Sequence, residues 1–177
     1  MSEEKLVYDG FHKVYQVEAI VKGKQVKREK VMIKSAVAGI VIDVNNRIGL
    51  VSQYRPVIGK QAWEIPAGLQ DKEGLTPLQV LIEELEEECG IQPSEILSAS
   101  ETPVHDYYMV IGSSPASIQL YEIRVTAQSD KQVDDADVDE VRWVTIKEME
   151  QMMQEGLICD PKTIIAYYYL KNHFQGK

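Results

Sequence analysis

Residues 66–91 read PAGLQDKEGLTPLQVLIEELEEECGI. Thr76-Pro77 opens a helix, with Thr as N-cap and Pro at the first helical position. The helix runs to Cys89 and stops at Gly90, the residue type that best adopts a left-handed cap. Its closing stretch, EELEEECG, holds Glu83, Glu84, Glu86, Glu87 and Glu88 in six consecutive positions. Like charges three or four residues apart repel by roughly 0.2 to 0.5 kcal/mol per pair, so the cluster costs about 1 to 2 kcal/mol without a cation. Acidic side chains in the last turn also face the negative end of the helix dipole, a second electrostatic cost.

On a helical wheel, Leu78, Leu81, Ile82, Leu85 and Cys89 form one apolar stripe spanning about 60 degrees on either side of Leu78. Glu84 and Glu88 project together at one border of that stripe, beside Leu81. Glu87 lies farther round, and Glu83 and Glu86 fall toward the other side. Two carboxylates one turn apart therefore sit where the helix meets the rest of the fold. A divalent cation would remove both penalties, and carboxylate oxygens are what Mg²⁺ or Mn²⁺ prefer. The competing reading of such a run is a solvated acidic face.

Upstream, VYQVEAIV, QVKREKVMI, AVAGIVIDV and RIGLVSQY read as a meander of antiparallel strands with turns at KGK and Asn45-Asn46. AVAGIVIDV, apolar on both faces, is expected at the centre of the sheet. WEIPAGL is a short strand broken by Pro66 and Gly68, followed by a loop from Gln70 to Leu75. Downstream come two or three strands between Ile96 and Val125, an acidic loop, DKQVDDADVDE, and the strand VRWV. A capping box at Thr145 to Glu148 opens a helix through Met153, and Asp160-Pro161 opens another carrying Ile164, Ile165, Tyr168 and Tyr169. The order predicts an α+β chain, or an α/β/α sandwich, with a mixed β-sheet.

The formal net charge of −9 argues against direct attraction to nucleic acid or an anionic membrane, so an anionic partner requires a metal cation between them. MSEEKLVYDG has neither the basic start nor the apolar run of a secretory leader, and no stretch is apolar enough to span a bilayer; the expected location is the cytoplasm. Cys89 and Cys159, far apart in sequence, are read as reduced and structural.

Taken whole, residues 66–91 resemble a Nudix box, whose pattern is Gly, five residues, Glu, seven residues, then Arg-Glu-apolar-x-Glu-Glu-x-Gly-apolar. Glu84, Leu85, Glu87, Glu88, Gly90 and Ile91 match its second half, and Gly68 matches its start with one residue inserted before Thr76. VSQYRP, WEIPAGL, VRWV with TIKEM, and DPKTIIAYY extend the resemblance to the ADP-ribose pyrophosphatase branch over roughly Ser35 to Leu170. It implies a Nudix-like catalytic domain at 35–177 and an N-terminal antiparallel β extension at 1–34 that pairs two copies into a homodimer.

By the same resemblance, Glu84, Glu87 and Glu88 are catalytic and, with the Ala67 backbone carbonyl, bind Mg²⁺ or Mn²⁺. Arg55 and Glu64 hold the substrate, a nucleoside diphosphate derivative, with ADP-ribose split into AMP and ribose 5-phosphate. A carboxylate between Asp134 and Glu140 supplies the general base. His105, Asp106, Tyr107 and Tyr108, in a segment longer than the branch usually carries, are further candidates for ligand contact. Two positions depart from the pattern: Glu83 replaces the box arginine, and Leu75 stands at the first box glutamate. Both halves of the pair that braces loop against helix are then missing. This implies a retained metal site in a slower enzyme, or alternatively a nucleotide-binding protein that does not turn its ligand over. Glu83 is further expected to raise the pKa values of Glu84 and Glu87.

Overall fold

The computed structural model describes residues 3–132 and 138–174. Strands β1 (Glu3–Asp9), β2 (Lys13–Val21) and β3 (Lys24–Met32) form an antiparallel three-stranded sheet of their own. Strands β4 (Ala36–Asp43), β5 (Ile48–Arg55), β6 (Lys60–Glu64) and β7 (Ala67–Leu69) lead into helix α1 (Pro77–Cys89). After a 3-10 turn at Pro93–Glu95 come β8 (Ile96–Ala99), β9 (His105–Tyr108), β10 (Ser117–Val125), β11 (Lys131–Gln132) and β12 (Glu140–Val144). Helices α2 (Ile146–Gln154) and α3 (Pro161–Phe174) close the chain.

The second sheet runs β11-β12-β5-β4-β10-β8, with β6 on β5, β7 on β4 and β9 on β10. Its one parallel pairing among the described strands is β4 with β10, in register from Ala36 opposite Ile118 to Asp43 opposite Val125. The expected meander is thus divided: β2 and β3 belong to the small sheet and β4 and β5 to the large one. The backbone link from Val31 N–H to the Ser113 carbonyl (2.8 Å) ties the small sheet to the turn before β10.

Strand β4 is the central strand that its two apolar faces predict. Ala38, Ile40 and Ile42 join Leu50, Trp63, Leu120, Met149 and Tyr167 in a core under α2 and α3. Val37 and Val41 join Val51, Leu81, Leu85, Ile123 and Trp143 in a second core under α1. Successive side chains of a strand point to opposite faces, so one strand fills both layers and makes the α/β/α sandwich. No helix among the described residues is long and apolar enough to cross a membrane.

Candidate active site

Helix α1 is fixed at both ends by short-range bonds. Thr76 Oγ1 accepts from Gln79 N–H (3.3 Å) and Gln79 Oε1 accepts from Thr76 N–H (2.8 Å), a reciprocal capping box. Gly90, at φ 58°, ends the helix in the left-handed conformation. The buried positions are Val80, Leu81, Leu85, Glu88 and Cys89. Val80 therefore belongs to the core although the wheel left it out, while Leu78 and Ile82 are only half-buried.

The carboxylates at the border of the stripe meet β7. Glu88 is 9% exposed, and its oxygens accept from Ala67 N–H (3.1 Å) and Gln53 Nε2 (3.0 Å). No cation pairs with it directly among the described residues. Burial first, and then the nearby Glu84, push its pKa up to about 7 against the bonds it accepts. Glu84 packs on Gly68, where an added Cβ would stand 2.3 Å from Glu84 Cγ. Only glycine lets the chain of β7 pass this close. Burial also raises the Glu84 pKa, Lys72 opposes the rise and Glu87 adds to it. The expected influence of Glu83 is not among the leading causes, which are burial, Lys72 and Glu87.

That pairing corrects the reading of an unbraced loop. Lys72 Nζ lies 2.9 Å from Glu83, 3.5 Å from Glu84 and 3.9 Å from Glu87. Leu75 packs against the core beneath α1 in place of an acid.

Across the sheet, Arg55 at the end of β5 grips Glu64 at the end of β6 through two bonds of 2.7 Å. Lys162, at the start of α3, also donates to Glu64, and lies 3.1 Å from Asp160. Asp160 caps α3 by accepting from Thr163 N–H (3.0 Å), and Thr163 Oγ1 accepts from Ile65 N–H (2.9 Å). Burial pushes the Glu64 pKa up, but Arg55 and Lys162 together outweigh it and hold the carboxyl at about 2. Glu64 is thus consumed by its two cations.

A cleft of ≈ 530 Å³ brings these groups together, lined by Gln53, Arg55, Ala67, Gly68, Asp71, Glu84, Glu88 and Lys162 among others. Glu87, 61% exposed at its side chain, lies outside this lining, as does Glu64 behind its two cations. Among the described residues no three His, Cys, Asp or Glu side chains converge as a metal cage. Two carboxylates at one cleft are nonetheless a set that fits Mg²⁺, which commonly takes one or two carboxylates and completes its shell with substrate phosphates and water. The buried Glu88 without a paired cation is the observation that fits a dication here.

A family model for the NUDIX domain matches residues 32–164. The chain belongs to the Nudix family. It is similar to the methanol dehydrogenase activator of Bacillus methanolicus, 33% identical over 155 residues that make up 84% of this chain and 78% of that one. The ADP-ribose pyrophosphatase of Mycobacterium tuberculosis is 33% identical over 143 residues, 78% of this chain and 65% of that one. The ADP-ribose pyrophosphatase of Bacillus subtilis is 28% identical over 152 residues, 84% of this chain and 78% of that one. Family and relatives together make the chain a Nudix pyrophosphohydrolase similar to ADP-ribose pyrophosphatases.

Gln53, Asp71 and Lys162, polar residues that line the cleft, and Lys72 beside it are not singled out by the sequence. Gln53 and Lys162 lie inside VSQYRP and DPKTIIAYY, segments that carried the Nudix resemblance, but nothing local showed that they face one cleft. His105 lies on β9, edge-on to Tyr169 with ring centroids 5.7 Å apart, and lines a separate groove. Asp106 accepts from Gln119 (3.1 Å), Tyr107 packs against the core and Tyr108 is exposed. Of the acidic loop, residues 133–137 lie outside the described residues. Asp139 accepts from Gln61, and Glu140 pairs with Arg142 at 3.0 Å. Cys89 is buried as expected of a structural thiol, whereas Cys159 is exposed.

Proposed function

We propose that this cleft hydrolyses the diphosphate bond of a nucleoside diphosphate derivative, ADP-ribose first and sugar nucleotides second, with ADP-ribose giving AMP and ribose 5-phosphate. The observation that carries the reading is Glu88, a buried carboxylate lining the cleft beside Glu84 with no cation paired to it among the described residues. Glu84 and Glu88 would hold Mg²⁺ or Mn²⁺, with the Ala67 carbonyl and Glu87 as further donors. When bound, the ion supplies charge neutralisation at the diphosphate and a bound water of lowered pKa.

The chain's own residues do the remainder. Gln53 and the Ala67 N–H each donate to one oxygen of Glu88 and fix its carboxylate at the lining of the cleft. Glu64 aims two cations, Arg55 and Lys162, at the same space, where each can donate to phosphate oxygens as substrate enters. Holding both ends of the diphosphate in this way turns an attack by water into a positioned reaction. The proton of that water goes to a carboxylate of the loop from Asp134 to Glu140. The sheet β1–β3 would join two copies into a homodimer.

A second reading, nucleotide binding without turnover, is favoured by the departures at Leu75 and Glu83. One assay separates the two. The purified protein is incubated with Mg²⁺ and a panel of nucleoside diphosphate sugars, dinucleotides and coenzymes, and products are resolved by chromatography. Cleavage of ADP-ribose supports the first reading; binding across the panel with no product establishes the second.

A further inference from the structure

The loop between β7 and α1 is fastened at its start and at its end. Gln70 is bonded to Ser35 and Ala36 through its backbone N–H (2.9 Å) and its side chain (3.0 Å), and Asp71 meets Lys34 at 2.6 Å. Leu75 packs into the core and Thr76 caps the helix. Between these anchors Glu73 and Gly74 are exposed. Lys72 reaches from the middle of the loop to α1, where Glu83 and Glu87 on the exposed side and Glu84 at the cleft border lie within 2.9, 3.9 and 3.5 Å of its ammonium.

We propose that Lys72 is a positioning residue that clamps this loop to α1 through Glu83, keeping Gly68 and Glu84 in register, with the cation on the loop and the carboxylate on the helix. The signs are the reverse of the acid-on-loop, base-on-helix order of the Nudix pattern. The sequence alone shows two lost partners; the structure shows one tie of inverted polarity, moved three residues along the loop from Leu75. The inference rests on the metal-site reading of Glu84 for its catalytic consequence, though not for the tie itself.

The physical case is local. Exposed ion pairs add little to global stability, and Lys72 and Glu83 keep 33% and 46% of their side-chain surface in water. What the ammonium changes is the placement of the Glu84 carboxylate, since Gly68 touches it directly and the loop follows Gly68 by two residues. Three carboxylates around one ammonium also repel one another less than they would alone. The acidic run on α1 is therefore compensated in part by the chain's own cation.

The test compares the full-length protein with K72M, K72E, E83K and the charge-exchanged K72E/E83K. Two readouts are taken: hydrogen exchange of residues 70–75 without metal or substrate, and steady-state kinetics on the nucleotide cleaved. In K72M the loop exchanges about ten-fold faster and kcat falls about ten-fold while KM stays within about three-fold, as expected when a catalytic group is misplaced and ground-state binding is not. K72E and E83K, which set like charges face to face, do the same or worse. K72E/E83K returns exchange and kcat to within about three-fold of the parent, a non-additivity that only a direct pairing gives. Parental exchange and kcat in K72M, or a double variant that carries the losses of both singles, overturns the proposal. If the parent cleaves no nucleotide the functional reading fails on its own, and the exchange comparison still decides the tie.

Discussion

Glu64 sits at 4% exposure between Arg55 and Lys162, and its charge is stabilised by both. Its pKa is held at about 2 against an ordinary 4.5. A depressed carboxylate contributes stability that is complete above the unfolded value and is lost as pH falls through the folded one. Glu64→Gln is accordingly expected to cost roughly 3 kcal/mol at pH 7, and the gap from the parent to close as pH drops from about 4.5 toward about 2. Urea unfolding at pH 7, 4.5 and 3 checks this; an equal gap at all three contradicts it. At this scale the sequence was half legible. Arg55 and Glu64 were read as residues that hold substrate, and the structure joins them to each other. Lys162 was silent because its partner Glu64 lies 98 residues away, and Lys72 because its partner Glu83 is reached across a loop of undetermined path.

Helix α1 was legible nearly to the residue because its signals are local: a Thr-Pro start, a glycine stop and a period of apolar positions. Strand partners were less so. Nothing in a single strand's composition tells that β4 pairs in parallel with β10 across some eighty residues, and neither β1, whose Leu6, Val7 and Tyr8 are consecutive, nor the two-residue β11 shows the alternation that marks a strand. The junction of β7 with α1 gives the sharpest prediction of this scale. Gly68→Ala places a methyl where the Glu84 side chain now runs, and the flexible carboxylate rather than the backbone has to give way. The variant is expected to fold with a melting temperature within a few degrees of the parent, while losing about ten-fold or more in kcat/KM. A fully active Gly68→Ala would show that Glu84 does not need its present position.

At the scale of the molecule the small sheet is the part without a buried strand of its own. The central strand β4 of the nine-stranded sheet is buried on both faces, whereas β1–β3 leave Leu6, Val7, Tyr8, Ile20 and Met32 exposed, with Phe11 89% exposed between β1 and β2. Apolar groups exposed on one small sheet are what the proposed pairing of two copies would cover. Light scattering on a sizing column is expected to give twice the 20.1 kDa chain mass, and Phe11→Ser with Ile20→Ser to shift it toward the single chain. A monomer in the parent contradicts the pairing without touching the active site.

At the centre of the account stand Glu84 and Glu88, two carboxylates one helical turn apart at a cleft that also holds two cations. The most direct measurement is the rate of ADP-ribose cleavage at saturating Mg²⁺ by the Glu84→Gln, Glu88→Gln double variant, with folding verified by circular dichroism. A fall of about a thousand-fold or more is expected, because the variant keeps the shape of the site and loses both charges that would hold the ion. Cleavage at the parental rate would contradict it.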